Sequence, residues 1–139
     1  MEKATDKQIG GSHYKNFKIQ PSKFIYDNGI KFNEGNIIKY VCRHEFKNGL
    51  QDLEKAGHYV DLLMEFSENS VIPFLLDREF EFEIIRVGKF SKFFCEENQL
   101  DELQSAIILN ACLFSKTNAK EYLYQAHHFI KKLIEQHYG

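Results

Sequence analysis

The fold follows from residues 34–59, which read EGNIIKYVCRHEFKNGLQDLEKAGHY. On both sides of Asn48-Gly49, apolar residues recur three or four positions apart, as they do along one face of an α-helix. The two apolar stripes consist of Ile37, Ile38 and Val41, and of Leu53, Ala56, Val60, Leu63 and Met64. Asn-Gly readily adopts the left-handed conformation that ends a helix, so the stretch predicts a hairpin of two helices, at roughly 33–46 and 49–67.

Shorter elements are predicted on either side of this hairpin. Pro21 suits the first turn of a helix that stops near Asn28-Gly29. Short β segments are expected near 13–19 and 79–87, the second because Glu and apolar residues alternate there. From about Lys92 onward the pattern is helical again.

The second half of the chain repeats the first after a shift of about 70 residues without a gap. The matched pairs include polar residues as well as apolar ones: Asn28 and Asn98, Cys42 and Cys112, His58 and His128, and Glu65 and Glu135. Helical periodicity alone aligns apolar residues, but it does not bring these polar residues into the same register. We therefore predict an internal duplication, in a mainly α-helical fold of two pseudo-symmetric helical-hairpin repeats. Ile37 and Ile38 are expected to pack against Ile107 and Ile108.

One compact domain is predicted for the 139 residues. Its parts are a flexible N-terminus (1–11), a first repeat that carries a polar site (12–68), a linker (69–78) and a second, degenerate repeat (79–139). The net charge of −2 argues against general nucleic-acid binding. Three widely spaced cysteines, the polar N-terminus and the lack of a long apolar run predict a soluble intracellular protein with reduced thiols and no membrane contact. Cys42 and Cys112 are expected to be inert core thiols.

A cationic face is predicted on the first repeat. Its residues recur at helical spacing or flank the second helix, and they are Asn36, Lys39, Tyr40, Arg43, Lys47 and Lys55. Arg and Lys can gather phosphate oxygens there, although a solvated helix face has the same pattern. At the positions that match Lys39, Tyr40, Arg43, Lys47 and Lys55, the second half holds Leu109, Asn110, Leu113, Thr117 and Gln125. The shared fold therefore does not need these charges.

Other polar residues extend this candidate site. Glu34 and Asp52 could pair with the cations, and for Asp52 a structural pairing near Lys55 is favoured. Tyr14 and Tyr40 could stack on a base or simply pack. His13 and Lys15 have no match in the second half, so His13 is a candidate phosphate donor or acid/base. His58 is matched by His128 and is expected to be a core histidine serving the fold.

Several conventional motifs are absent from the sequence. It contains no Gly-x-x-x-x-Gly-Lys-Ser/Thr phosphate loop, no Gly-x-Gly-x-x-Gly and no zinc-spaced Cys/His set. A phosphate-loop kinase is therefore excluded, and no metal site is predicted.

The first half resembles a family of small bacteriophage proteins that is mostly catalogued as a domain of unknown function. The resemblance covers about residues 12–66, and it is carried by His13-Tyr14-Lys15, Ile19-Gln20-Pro21, the run from Glu34 to Arg43, Asn48-Gly49-Leu50, Asp52-Leu53 and Lys55-Ala56. The family is similar to the C-terminal part of a nucleotide kinase of short-tailed phages, which lacks a phosphate loop and assembles into oligomers.

The resemblance implies a phage nucleotide-binding protein of the host cytoplasm that forms a homo-oligomer. A kinase would transfer a phosphoryl group to a nucleoside monophosphate, with ATP or another nucleoside triphosphate as donor and with His13 and Arg43 in the catalytic role. The alternatives are sequestration of a nucleotide signal of host defence and a protein-interaction module that inhibits a host enzyme. Arg43→Leu copies Leu113 and is expected to remove binding while sparing the fold.

Overall fold

The computed structural model describes residues 3–4, 17–68 and 78–139, with side chains described from residue 81 in the last range. Six α-helices lie in these ranges: α1 (Pro21–Asp27), α2 (Phe32–Arg43), α3 (Leu50–Glu68), α4 (Arg78–Glu97), α5 (Glu102–Thr117) and α6 (Lys120–Tyr138). A short 3-10 helix, His44–Phe46, follows α2. The prediction of a mainly α-helical protein is confirmed.

The ends of the helices follow from local sequence. Pro21 occupies the first turn of α1, where its missing N–H is no loss. Gly49 has a φ of +56° just before α3, as the Asn48-Gly49 signal predicts. Asp101 caps α5 by accepting a hydrogen bond from the Gln104 N–H, and the Gln104 side chain accepts one from the Asp101 N–H in return. Gly49 therefore marks the turn between α2 and α3, while Pro21 and Asp101 mark the starts of α1 and α5.

The core lies between the two hairpins. Helix α2 packs against α3 and α5, while α6 packs against α5 and α3. Ile37, Ile38, Ile107 and Ile108 are all completely buried in one core cluster, and α2 packs against α5, as the predicted packing of the two isoleucine pairs requires. Cys42 and Cys112 are buried as well, and burial raises the pKa of both thiols, as expected for inert core cysteines.

The predicted strand near 79–87 is wrong, because these residues belong to α4. The alternation covers barely six residues, whereas Val87, Ser91, Phe94 and Cys95 form a buried stripe at helical spacing. Phe82, one of the alternating apolar residues, is 68% exposed and therefore marks no buried sheet face. In the segment 13–19, residues 13–16 lie outside the described residues, and 17–19 form no strand.

The predicted linker and N-terminal segment lie mostly outside the described residues. Residues 69–77 fall there, and residue 78 already belongs to α4. Helices α3 and α6 each contain 19 residues. Among the described helices, none combines the length and the apolar character needed to cross a membrane.

Candidate functional site

A row of three aromatic side chains lies along the α2–α3 hairpin. The rings of Tyr40 and Tyr59 are stacked with their centroids 6.0 Å apart, and Phe32 meets Tyr59 edge-on at 6.5 Å. Phe32 is 76% exposed, whereas both tyrosines are half-buried. The row therefore has one open end at Phe32 and one packed end at Tyr40.

Cationic side chains surround the Tyr40 end of the row. Lys39 Nζ lies 4.4 Å from the centroid of the Tyr40 ring, Arg43 Cζ lies 4.6 Å from it, and Lys55 Nζ lies 5.4 Å from it. Each distance is within the range of a cation–π contact. We call Phe32, Lys39, Tyr40, Lys55 and Tyr59 the aromatic–cationic surface. The structure thus brings together four of the predicted site residues, which are Lys39, Tyr40, Arg43 and Lys55.

Arg43 pairs with Asp52 of α3, which is completely buried. Arg43 Nε and Nη2 both donate to Asp52 Oδ1, at 3.1 and 3.0 Å. The other carboxylate oxygen of Asp52 accepts a hydrogen bond from the Asn48 N–H at 3.0 Å. Asp52 therefore has the structural pairing that was predicted, but its partner is Arg43 of α2 rather than Lys55.

This ion pair changes the expectation for Arg43→Leu. Removing one partner of a buried pair leaves the other charge buried without compensation, which typically costs about 3–5 kcal/mol. The second half of the chain has Leu113 and Tyr122 at the matching positions, so both partners differ there together. Arg43→Leu alone does not reproduce that arrangement, and we now expect it to destabilise the fold.

Glu34 does not join the aromatic–cationic surface. It is 2% exposed and lies on the buried side of α2, about 180° around the helix from Arg43. Its Oε2 atom has no hydrogen-bond partner among the described residues. Burial raises the pKa of the Glu34 carboxyl, although its own backbone N–H and the charge of Lys31 act in the opposite direction.

The remaining predicted residues make no ring contact with Tyr40 or lie outside the described ranges. Asn36 is half-buried and donates to the Phe32 carbonyl oxygen at 3.0 Å. Lys47 is exposed and follows the 3-10 helix, because α2 ends at Arg43 rather than continuing to 46 as predicted. His13, Tyr14 and Lys15 lie outside the described residues.

His58 and His128 are both exposed, so the expectation of core histidines is wrong. The shared position is kept in both halves, but on the outer faces of α3 and α6. The buried histidine is instead His44 in the 3-10 helix, which is 1% exposed. Burial lowers the pKa of His44, so its ring is neutral near pH 7.

A second polar cluster surrounds His44 at the opposite end of α2 from Phe32. His44 Nδ1 lies 2.9 Å from the Tyr138 hydroxyl oxygen, while Nε2 is buried with no hydrogen-bond partner among the described residues. Ligand atoms of His44, Glu45 and His137 all lie within 4.8 Å of one another. Sequence analysis missed this cluster because its members come from the 3-10 helix and from the last turn of α6.

The fold and the surface define an all-α protein of two packed hairpins, with an aromatic row and lysines on the first hairpin. Residues 9–61 match the model of a protein family of unknown function, DUF3310. The match begins before α1 and ends within α3, so it contains the aromatic–cationic surface. This agrees with the predicted resemblance of the first half to a family of unknown function. The chain has no significant match among curated proteins or solved structures.

Proposed function

We propose that this protein binds a nucleotide on the aromatic–cationic surface. The main support for this proposal is the position of the Lys39 and Lys55 amines, which lie within 5.4 Å of the centroid of the Tyr40 ring. Within the described residues, no carboxylate forms an ion pair with either lysine. Two amines beside one aromatic ring, neither with a carboxylate partner in that part of the chain, attract a polyanion such as a di- or triphosphate.

The two ends of the surface suit the two ends of a nucleotide. The phosphates would bind Lys39 and Lys55 beside Tyr40, and the base would stack on the exposed ring of Phe32. Phe32 contacts Tyr59, which in turn contacts Tyr40. Phe32 also lines a hollow of about 350 Å³ together with polar groups of Asn33, Ser67 and Asn118. Arg43 acts here as a positioning residue, since Asp52 holds its guanidinium against Tyr40.

We also propose that the two hairpins arose by internal duplication. Helices α3 and α6 have the same length and begin at matched positions. Phe24 and Phe94, a matched pair, stack on each other with centroids 4.3 Å apart, as equivalent residues near a pseudo-two-fold axis do. Of the five surface residues, only Tyr59 has an aromatic match, Phe129, so the ligand site would belong to the first hairpin.

Isothermal titration calorimetry with nucleoside mono-, di- and triphosphates and cyclic dinucleotides tests the binding proposal. Lys39→Leu and Lys55→Gln copy the second half, and each should weaken binding about tenfold, which corresponds to about 1.4 kcal/mol of lost phosphate attraction. Lys131→Gln, at an exposed position of α6, is the control and should bind as the wild type does. Unchanged affinity in both test variants would contradict the proposal.

Kinase activity, which the resemblance implies, is separated from sequestration by the fate of the bound nucleotide. The protein is incubated with ATP and each nucleoside monophosphate, with and without magnesium, and the products are chromatographed. A new diphosphate that is lost with Lys39→Leu would support phosphoryl transfer at this surface. Recovery of unaltered nucleotide from heat-denatured protein would support sequestration instead.

A further inference from the structure

We propose that His44, Glu45 and His137 bind a divalent transition-metal ion that joins the 3-10 helix to the C-terminal turn of α6. One ligand atom from each of these residues lies within 4.8 Å of the other two. Two imidazoles and a carboxylate form a donor set suited to Zn²⁺, Co²⁺ or Ni²⁺. This site is separate from the aromatic–cationic surface and does not depend on the nucleotide proposal.

The buried His44 ring has a nitrogen that an ion could pair with. Its side chain is almost completely buried, yet Nε2 has no hydrogen-bond partner among the described residues. The His137 ring lies edge-on to the His44 ring, with centroids 5.0 Å apart. A metal ion between the two rings would satisfy a buried nitrogen that is otherwise costly to leave unpaired.

Tyr138 fixes the His44 ring in the orientation that a metal ligand needs. The Tyr138 hydroxyl oxygen lies 2.9 Å from His44 Nδ1, and its O–H donates to the His44 carbonyl oxygen at 3.4 Å. In that arrangement Nδ1–H donates to Tyr138, which leaves the lone pair on Nε2 for the metal. Metal-bound histidines commonly donate their second ring N–H to an oxygen in this way.

Two carboxylates lie near the His137 ring, and one of them, Glu45, belongs to the proposed donor set. Its Nε2 lies 3.6 Å from Glu45 Oε1 and 3.8 Å from Asp101 Oδ2, and the Gln136 Nε2 atom is 3.5 Å away. Ordinary zinc bond lengths place donor atoms about 3.3 Å apart, so the three ligand atoms, now within 4.8 Å of one another, must move closer to bind the ion. Glu45 and His137 are both exposed, so side-chain rotation can supply this movement.

The test uses the full chain without a histidine tag. Titration with Zn²⁺ should give one bound ion per chain and a higher melting temperature, and Co²⁺ should give the visible absorption of a tetrahedral or five-coordinate site. His137→Gln and Glu45→Gln change exposed side chains and should each weaken Zn²⁺ binding at least tenfold. His128→Gln, on the same helix and also exposed, is the matched control and should leave binding unchanged.

Nitrogen-15 NMR of the histidine rings identifies the ligating atoms. Zn²⁺ should shift the resonances of His44 Nε2 and His137, while His44 Nδ1 keeps its proton. Wild-type affinity in both His137→Gln and Glu45→Gln would overturn the proposal, because the ion would then bind elsewhere. Loss of binding in His128→Gln, or a Zn²⁺ shift of other histidines only, would overturn it as well.

Discussion

Glu34 is a buried carboxyl whose surroundings do not favour a charge. It is buried at the position where the second half has Gln104, and the Gln104 Nε2 atom donates to the Val41 carbonyl oxygen at 3.0 Å. An ionised carboxylate cannot donate such a hydrogen bond, and Glu34 Oε2 has no partner among the described residues. The Gln104 amide is therefore paired at its position, whereas burial favours the neutral, protonated form of Glu34.

The raised pKa of Glu34 gives the protein a pH-dependent stability. The folded protein holds this proton more tightly than the unfolded chain, whose carboxyl titrates near 4.5. The free energy of unfolding that Glu34 contributes is therefore fully present below pH 4.5 and is lost as the pH rises through the raised value. The groups near the Glu34 carboxyl include Lys31 and the thiol of Cys112.

Glu34→Gln should stabilise the protein at pH 8 by about 1–3 kcal/mol, the usual cost of a buried polar group without a partner. The gain should shrink towards pH 4, where Glu34 is protonated in the folded and unfolded states alike. Urea unfolding at several pH values measures both effects. Glu54→Gln removes an exposed carboxylate of the same hairpin and should change little at any pH. An equal gain for Glu34→Gln at pH 4 and pH 8 would argue against a raised pKa.

Between elements, the Arg43–Asp52 pair fixes how α2 meets α3. Arg43 ends α2, Asp52 lies in the first turn of α3, and Asp52 also accepts the Asn48 N–H of the turn. The hydrogen bonds thus connect the end of one helix, the connecting turn and the start of the next. The same contact holds the Arg43 guanidinium beside Tyr40.

Arg43→Leu should lower the free energy of unfolding by about 3–5 kcal/mol, because Asp52 would remain charged and buried. Adding Asp52→Asn removes that charge and keeps an oxygen for the Asn48 N–H, so the double variant should recover most of the loss. Chemical denaturation of the single and double variants gives the comparison.

Arg86→Leu is the control for loss of an arginine. Arg86 pairs with Glu83 on the exposed side of α4, and an exposed pair contributes only about 0–1 kcal/mol. A loss for Arg43→Leu no larger than that of Arg86→Leu would mean that the buried pair does not hold the hairpin.

At the scale of the whole molecule, the two hairpins share one core. Leu53 of α3 and Leu123 of α6 are completely buried at matched positions, and α3 packs against α6. Leu53→Ala and Leu123→Ala should each lower the free energy of unfolding by about 2–5 kcal/mol. Because the core is shared, each variant should still unfold in one cooperative transition.

Thermal and urea unfolding monitored by far-ultraviolet circular dichroism measure both quantities. Leu50, which is 40% exposed at the start of α3, provides the matched control, and Leu50→Ala should cost far less. An unchanged melting temperature for either buried variant would contradict the shared core. A separate transition for one hairpin would contradict it too.

The sequence by itself determined most of the helices, their buried stripes and the turn at Asn48-Gly49. Helical periodicity, Pro21 and the Gly49 turn depend on interactions between residues close in the chain. They can therefore be recognised without knowledge of the fold. The same local reasoning failed over 79–87, where a short alternation was outweighed by the longer helical stripe of α4.

Only the tertiary structure decided which polar side chains meet. Lys39, Tyr40 and Lys55 were predicted together because helical spacing places them on one hairpin. Arg43 with Asp52, the burial of Glu34, and the approach of His137 to His44 all depend on how separate helices pack. Periodicity tells which face of a helix is buried, but the partner across that face is set by packing between elements distant in the chain.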